Sequence, residues 1–354
     1  MRIDTVNGLL DVLFNYQLLT PEQLLEVGNS LRGQFSQPQG LAQHLHEIGW
    51  LTAYQLNALL QHNLQALVLG SYRLIDQLGK GGVSRVYKAR HIRHGFVVAL
   101  KVVAGDMMSQ PEIVARFRRE VRIVAKLNHP NIVRAIDAKV TPEFGYMAME
   151  FVDGCDLDRI VQAKKCLPYP MACDYIRQAA LGLHHAHLQG LIHRDIKPGN
   201  LLVAQVPPGT PGASRFGLVK VLDLGLARPS NLSPDSGFDP NVTAEGTTLG
   251  TPDYMAPEQA RSVSTVDGRA DIYSLGCTLY YCLTGQVPFP GGSTMQKLFR
   301  HQSEEPLPVR SFAPTTPPPL AQIVQRMMAK RREQRIGSAE EVASLLEPFC
   351  DPDD

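Results

Sequence analysis

Residues 193–200 read HRDIKPGN, and this stretch decides the fold. The tripeptide DLG follows at 223–225, and APE follows at 256–258. Each of these short stretches is weakly specific when it stands alone. Their meaning therefore depends on the order in which they occur and on what precedes them in the chain.

A glycine-rich stretch, LGKGGVSRVYKA, begins upstream at Leu78. A phosphate-binding loop of the form Gly-x-Gly-x-x-Gly would place glycines at 79, 81 and 84. Gly79 and Gly81 fit, but Ser84 takes the third position and Gly82 stands one place early. On its own, the stretch is compatible with a nucleotide loop and equally with a chance cluster of glycines.

A lysine within an apolar stretch is the second upstream feature. Lys101 lies in VALKV, on a predicted strand that follows the glycine-rich loop. An isolated lysine on a strand is usually an exposed edge residue, whereas one flanked by Val, Ala and Leu requires a partner in the interior. Glu120, in RFRREV on the next predicted helix, is the candidate partner. Together with the glycines, the lysine indicates a clamp for nucleotide phosphates.

The order of the motifs resembles that of Hanks-type bacterial protein Ser/Thr kinases. The series is GKGGVSRV, VALK, HRDIKPGN, DLG, GTPDYMAPE, DIYSLG and a late arginine in REQRIGSAEEV, and it covers roughly residues 71–350. The resemblance implies an α+β, bilobal protein-kinase fold. It places a five-stranded sheet and one helix in an N-lobe (71–152) and a mainly helical C-lobe at 153–354. The apolar and β-branched patterns of 71–152 themselves predict five strands and a helix at 111–127.

The resemblance also implies a reaction and the residues for it. The chain would transfer the γ-phosphate of ATP to Ser or Thr hydroxyls of itself and of partner proteins, with Mg²⁺ or, in its place, Mn²⁺. Asp195 matches the catalytic base, and Lys197 matches the group that neutralises charge on the γ-phosphate. Asn200 and Asp223 match the metal ligands. The matching ATP-binding positions are Leu78, Gly79, Lys80, Gly81, Gly82, Val83, Ser84, Val86, Ala99, Lys101, Glu120, Met149, Glu150 and Val152.

Other positions match the scaffold and the regulation of the family. The scaffold positions are His193, Arg194, Thr251, Glu258, Asp271 and Arg335. An arginine beside the catalytic aspartate suggests control by phosphorylation, because a phosphate on the activation segment (223–258) can pair with its guanidinium. The candidate phosphorylation sites are Thr243, Thr247 and Thr248.

The chain departs from the family pattern at three places. Leu224 replaces the commoner phenylalanine of DFG and should still fill an apolar slot. Ser84 replaces a glycine that would allow positive φ, but it keeps a small side chain, and we do not expect it to inactivate the chain. The loop VPPGTPGASRFG (206–217) is longer than the usual connection and should be exposed. It is either a docking element or, as we prefer, a tolerated insertion.

Residues 1–70 lie outside the resemblance and have helical leucine spacing. A shift of 32 residues superposes Leu9 on Leu41, Leu13 on Leu45, and Thr20 on Thr52. We interpret this as a duplicated helix–turn–helix unit with four short helices, although two unrelated hairpins would also fit. Because the segment carries no titratable cluster, we predict an interaction or dimerisation module.

Composition limits the remaining functions. A net charge of +1 gives no basis for nucleic acid as a partner. The six cysteines form no Cys-x-x-Cys pair, and no apolar run approaches the length of a membrane span. We therefore expect a cytoplasmic protein. A pseudokinase scaffold, which would bind nucleotide and partners without transfer, is the alternative, but the complete set of catalytic positions favours an active kinase.

Overall fold

The computed structural model describes residues 3–81, 83–103, 108, 110–223, 252–261 and 266–351. Within these residues the chain forms two compact units. The first comprises the chain up to Gln110 together with Ile136–Phe151, and the second comprises Pro111–Ala135 together with the chain from Val152 onward. The boundary predicted between residues 70 and 71 remains a prediction.

The first unit begins with the four predicted helices. They are α1 (Val6–Asn15), α2 (Pro21–Glu26), α3 (Pro38–Glu47) and α4 (Ala53–Leu60), and a π-helical turn at Val27–Leu31 continues α2. The superposed leucines Leu9, Leu41, Leu13 and Leu45 are all fully buried in one apolar cluster. A Thr-x-x-Gln capping box opens both α2 and α4. The matching core positions and caps support the internal duplication.

A six-stranded sheet follows a 3₁₀ turn at Leu64–Leu67. Its strands are β1 (Val68–Leu69), β2 (Tyr72–Lys80), β3 (Ser84–His91), β4 (Val97–Val103), β5 (Ala135–Val140) and β6 (Gly145–Glu150), in the spatial order β1-β2-β3-β4-β6-β5. The five predicted strands are present. The short strand β1 comes from the segment predicted to be helical and adds a sixth strand at the edge beside β2.

The two faces of this sheet carry different side chains. Because side chains alternate along a strand, Leu100 lies on one face of β4, and Ala99 and Lys101 lie on the other. Leu100 belongs to a buried apolar cluster with Tyr87, its partner on β3, whereas Lys101 is half-buried and pairs with Val86. We call these the Leu100 face and the Lys101 face.

The second unit is mainly helical. It contains α5 (Pro111–Val124), β7 (Cys155–Asp156), α6 (Leu157–Lys164), α7 (Tyr169–Leu188), β8 (Leu201–Ala204), β9 (Leu218–Val221), α8 (Pro257–Arg261), α9 (Arg269–Thr284), α10 (Thr294–Ser303), α11 (Pro318–Met327) and α12 (Ala339–Leu346). Among the described residues, 3₁₀ turns lie at Pro198–Asn200, Pro252–Tyr254, Val309–Ser311, Arg332–Gln334 and Glu347–Phe349. Helix α9 is buried on every side from Ala270 to Leu283, so it forms the centre of this core.

The inserted loop 206–217 is anchored to α7. The Ser214 hydroxyl donates to the carboxylate of Asp174, and Gln178 Nε2 donates to the carbonyl of Gly217 at 3.1 Å. Gly212 has a φ of +80°, and a Cβ there would lie 2.6 Å from Pro130. The first half of the loop is exposed, as predicted, whereas the second half packs against the core. Among the helices of the described chain, none is long and apolar enough to span a bilayer.

Candidate active site

The HRDIKPGN stretch forms a tight loop that brings three polar side chains together. Lys197 Nζ lies 2.9 Å from Asp195 Oδ2. Asn200 Nδ2 donates to the backbone carbonyl of Asp195 at 2.7 Å and to its Oδ2 at 3.2 Å. The Asp195 side chain is 36% exposed. Its carboxylate is therefore oriented by an ammonium and an amide and can still be reached from solvent.

Arg194, next to this carboxylate, has a left-handed backbone with a φ of 65°. A non-glycine residue in this region stores about 1–3 kcal/mol of strain and persists only where its surroundings hold it. The N–H of Arg194 donates to Asp271 Oδ1 at 2.8 Å, and its carbonyl accepts from Gln259 Nε2 at 2.8 Å. Asp271 is fully buried and Gln259 is nearly so. Buried side chains on α9 and α8 therefore fix both polar groups of the strained peptide.

His193 links the same loop to the end of β9. Its ring is fully buried; Nδ1 accepts from the N–H of Asp195 at 3.3 Å, and Nε2 lies 2.7 Å from the carbonyl of Leu222. These partners require the neutral tautomer with the proton on Nε2. The N–H of His193 donates to Asp271 Oδ2 at 2.8 Å. His193 and Asp271, the two positions predicted to act as scaffold, thus contact each other and the backbone of the loop directly.

Glu258 and Arg335 form a bidentate ion pair in the same unit. The Arg335 Nη1 and Nη2 atoms donate to the two carboxylate oxygens of Glu258 at 2.6 and 2.8 Å. The Arg335 side chain is fully buried, and it also donates to the backbone carbonyls of Ala329, Arg269 and Lys330. The guanidinium thus has a partner for each of its nitrogens, which makes its burial tolerable.

The predicted ATP-binding positions of the first unit cluster on the β2–β3 hairpin and on the Lys101 face. Val86 pairs with Lys101, and Ala99 pairs with Met149, so these four lie in adjacent rows of one face. The hairpin connection is closed by a hydrogen bond of 2.8 Å from the N–H of Gly81 to the carbonyl of Ser84. The predicted positions that lie on the β2–β3 hairpin or on the adjacent strands β4 and β6 are Leu78, Gly79, Lys80, Gly81, Val83, Ser84, Val86, Ala99, Lys101, Met149 and Glu150.

Comparison with known proteins identifies the family to which this arrangement of residues belongs. The protein kinase domain family matches residues 72–346.

The chain belongs to the protein kinase family.

Its relatives are bacterial kinases. It is 38% identical over 279 residues to serine/threonine-protein kinase PknB of Mycobacterium leprae, covering 78% of this chain and 42% of that protein. It is 36% identical over 278 residues to serine/threonine-protein kinase Pkn1 of Myxococcus xanthus, covering 78% of this chain and 38% of that protein. The crystal structure of the Mycobacterium tuberculosis PknI kinase domain matches with a TM-score of 0.59 and 25% identity, over 80% of this chain and 97% of that domain. The chain spans about two fifths of the length of the curated relatives that it matches.

Protein kinases use ATP and a divalent cation, and the oxygen donors of this kinase fit such an ion. Asn200 and Asp223 lie on neighbouring segments, because the N–H of Leu222 donates to the carbonyl of Asn200 at 2.9 Å. The amide nitrogen of Asn200 is used by Asp195, so its amide oxygen is the atom that can coordinate a cation. Asp223 adds a carboxylate on a left-handed backbone, with a φ of 42°. An amide and a carboxylate oxygen are suitable ligands for Mg²⁺.

Two residues of this kinase site were not predicted from the sequence. His187, on α7, places Nε2 2.8 Å from Asp271 Oδ2 and completes the set of hydrogen bonds to that buried carboxylate. Gln259 accepts from the N–H of Ala256 at 3.0 Å while it donates to Arg194. A histidine eight residues before Asp195, and a glutamine directly after Glu258, were the available signals.

The remaining predicted positions of the kinase lie elsewhere. Glu120 lies on α5 and is buried, and Val152 opens the chain segment of the second unit that follows β6. Several predicted positions lie outside the described residues: Gly82, Leu224, Thr243, Thr247, Thr248 and Thr251.

Proposed function

We propose that this chain is an active protein serine/threonine kinase that transfers the γ-phosphate of ATP to Ser or Thr hydroxyls of itself and of partner proteins. The observation that carries the proposal is the orientation of Asp195 by Lys197 and Asn200, with the carboxylate still open to solvent. A general base needs this combination of a fixed direction and access to the substrate.

Asp195 is the proposed base. It accepts the proton of the attacking hydroxyl as the hydroxyl oxygen bonds to the γ-phosphorus and the bond from that phosphorus to the bridging oxygen of ADP breaks. Lys197 holds a positive charge beside Asp195, where it offsets the negative charge of the transferring group. Because the scaffold already fixes the loop backbone, little reorganisation is needed when substrate binds.

ATP is the proposed phosphate donor. The backbone N–H groups of Gly79 and Gly81 are suited to the phosphates, because glycine lets a ligand approach the backbone closely. Lys101 is proposed to contact the α- and β-phosphates, with Glu120 as its carboxylate partner. Met149, Glu150 and Val152 are proposed to contact the adenine.

Asn200 and Asp223 are the proposed metal ligands. The cation, Mg²⁺ or Mn²⁺, supplies positive charge to the phosphate oxygens of ATP when it is bound. Retention of both oxygen donors in this chain supports the active kinase over the pseudokinase alternative.

We further propose regulation by phosphorylation of the activation segment at Thr243, Thr247 or Thr248. A phosphate on one of these residues would pair with the guanidinium of Arg194 and add charge-assisted hydrogen bonds. Mapping phosphorylated residues by mass spectrometry after incubation with ATP tests the assignment. Modification confined to other segments would contradict it.

The helical module of residues 1–70 is proposed to contact a second copy of the chain or another protein. Phe14 and Leu25 support this proposal, since these large apolar side chains are 67% and 65% exposed. Light scattering on the full chain tests the dimer, because the mass of a single chain would exclude it.

Transfer of labelled phosphate from ATP and Mg²⁺ tests the enzymatic proposal, with Asp195→Asn as the decisive variant. Loss of the base should lower the rate by about 10²–10⁴-fold while nucleotide binding persists. Asp11→Asn, at an exposed position on α1, is the matched control and should keep the wild-type rate. Nucleotide binding by the wild type without transfer would instead support the pseudokinase.

A further inference from the structure

The helical module reaches the sheet of its own unit through the first turn of α4. The Thr52 hydroxyl donates to the carbonyl of Ile75 on β2, and Gln55 Nε2 donates to the carbonyl of Leu74 at 3.2 Å. Gln55 is only 4% exposed. Thr52 and Gln55 lie outside the segment that matches the kinase family, yet they hold two successive carbonyls of the strand that leads to the glycine-rich hairpin.

These two carbonyls lie at an irregularity of β2. Leu74 pairs with Ala89 and Asp76 with Lys88, so Ile75 is an extra residue without a partner on β3. An extra residue moves the side chains that follow it to the opposite face of the sheet, up to the next irregularity. Leu74 accordingly lies with Ala89 on the Leu100 face, and Asp76 lies with Lys88 on the Lys101 face. The position of Ile75 therefore sets the faces of Asp76 and Gln77, and a second extra residue follows between Gln77 and Gly79 before the hairpin connection.

A bulged carbonyl needs a hydrogen-bond partner that the strand ladder does not supply. The capping box of α4 supplies it, because the same two side chains do both tasks. Thr52 Oγ1 accepts from the N–H of Gln55 at 3.2 Å, and Gln55 Oε1 accepts from the N–H of Thr52 at 3.1 Å. The start of the helix and the bulge of the strand are thus one hydrogen-bonded group.

An aromatic contact continues this attachment onto β3. The Tyr54 ring lies 5.4 Å from the Tyr87 ring, and the Tyr54 hydroxyl donates to the carbonyl of Ala66 at 2.6 Å. Tyr87 lies on the Leu100 face, so the module covers the face opposite to Lys101. It can therefore hold the hairpin in place without touching the face proposed to bind ATP.

The first copy of the duplicated unit provides an internal comparison. Thr20 and Gln23 form the same capping box, with Thr20 N–H to Gln23 Oε1 at 2.8 Å and Gln23 N–H to Thr20 Oγ1 at 3.3 Å. Both of these hydrogen bonds are exposed, whereas in the second copy Thr52 and Gln55 also donate to the sheet carbonyls of Ile75 and Leu74.

We propose that Thr52 and Gln55 are positioning residues for ATP binding: they fix the bulge at Ile75, which is the first of the two irregularities that set the register of the β2–β3 hairpin carrying Gly79 and Gly81. The proposal rests on the proposed function in naming ATP as the ligand. It extends the nucleotide site to a module outside the kinase-family segment.

The variants Thr52→Val and Thr20→Val test the proposal in the full chain. Valine keeps the shape of threonine and removes the hydroxyl, so each variant loses one helix cap to a similar extent. Only Thr52→Val also loses the bond to β2. We expect faster amide hydrogen exchange in residues 72–87 and an ATP dissociation constant raised by about 2–10-fold for Thr52→Val, with neither change for Thr20→Val.

Thr52→Ser, which keeps the hydroxyl, should behave like the wild type in both measurements. Hydrogen exchange needs neither phosphotransfer nor nucleotide, so it decides the proposal even if the chain proves to be a pseudokinase. Equal exchange of residues 72–87 in Thr52→Val and Thr20→Val would overturn the proposal. Failure of phosphotransfer together with the expected exchange would overturn only the enzymatic function.

Discussion

The catalytic loop and the glycine-rich hairpin are held in different ways. Around Asp195, the strained backbone of Arg194 is bound on both sides by buried side chains, and His193 and Asp271 are fully buried. In the hairpin, Leu78 is 49% exposed, and a hydrogen bond from the N–H of Gly81 to the carbonyl of Ser84 closes the connection.

The difference shows where each part of the site obtains its order. Removing one partner of a buried polar contact lowers the stability of the folded state by several kcal/mol. The geometry of the loop around Asp195 is therefore strongly determined by residues that lie within the segment matching the kinase family. The hairpin, by contrast, is exposed, and the hydrogen bonds that fix its first bulge come from Thr52 and Gln55 outside that segment. Substitutions should therefore have large effects near the catalytic loop and small effects in the hairpin.

The largest effect is expected from Glu258→Gln. This change leaves the fully buried guanidinium of Arg335 without its counter-charge and should lower the free energy of unfolding by about 3–5 kcal/mol. Urea denaturation followed by circular dichroism measures the loss.

Glu304→Gln is the matched control for this prediction. Glu304 pairs with Arg300 at 2.9 Å, but their side chains are 50% and 32% exposed, so the loss should be about 0.5 kcal/mol or less. Similar losses in the two variants would remove the contrast between buried and exposed contacts.

A smaller effect is expected from acid, through His301 in the second unit. Burial, together with the nearby charge of Lys330, lowers the pKa of His301 to about 3. The ring is 1% exposed, and its Nδ1 lies 2.8 Å from the Tyr273 hydroxyl. In the unfolded chain the His301 ring binds a proton near pH 6.5, whereas in the folded chain it binds one only near pH 3. The unfolded state therefore takes up more protons between these two values. The contribution of His301 to the free energy of unfolding is fully present above pH 6.5 and decreases as the pH falls towards 3.

Between pH 7 and 4.5 this group should contribute a loss of about 2–3 kcal/mol. Denaturation at several pH values measures the slope, and His301→Gln should reduce it. His62→Asn, at an exposed histidine, should leave it unchanged. A slope that survives in His301→Gln would show that other groups carry the acid sensitivity.

The sequence predicts the parts of this molecule that local patterns encode. Ordered motifs identified the kinase fold, and leucine spacing identified the four N-terminal helices, because both depend on residues close together in the chain. His187 and Gln259 were missed because each has one decisive partner far away, at separations of 84 and 65 residues. Thr52 was predicted as the counterpart of Thr20 in the duplication, but its bond to Ile75 depends on a bulge that no local pattern specifies.

The smallest effect is expected at Ser84, the position where the glycine motif is incomplete. Glycine would matter there if the backbone required a positive φ, but among the described residues Ser84 is not one of those with positive φ, and it pairs with Val103 as the first residue of β3. Ser84→Gly therefore relieves no strain and adds the flexibility of glycine in a strand, which should raise the KM for ATP by only about 2–5-fold. Ser84→Ala, which keeps the Cβ atom, should remain closer to the wild type. A collapse of activity, or a large gain, in steady-state assays of Ser84→Gly would show that the hairpin is as strongly determined as the catalytic loop, and the contrast between the two regions would then be wrong.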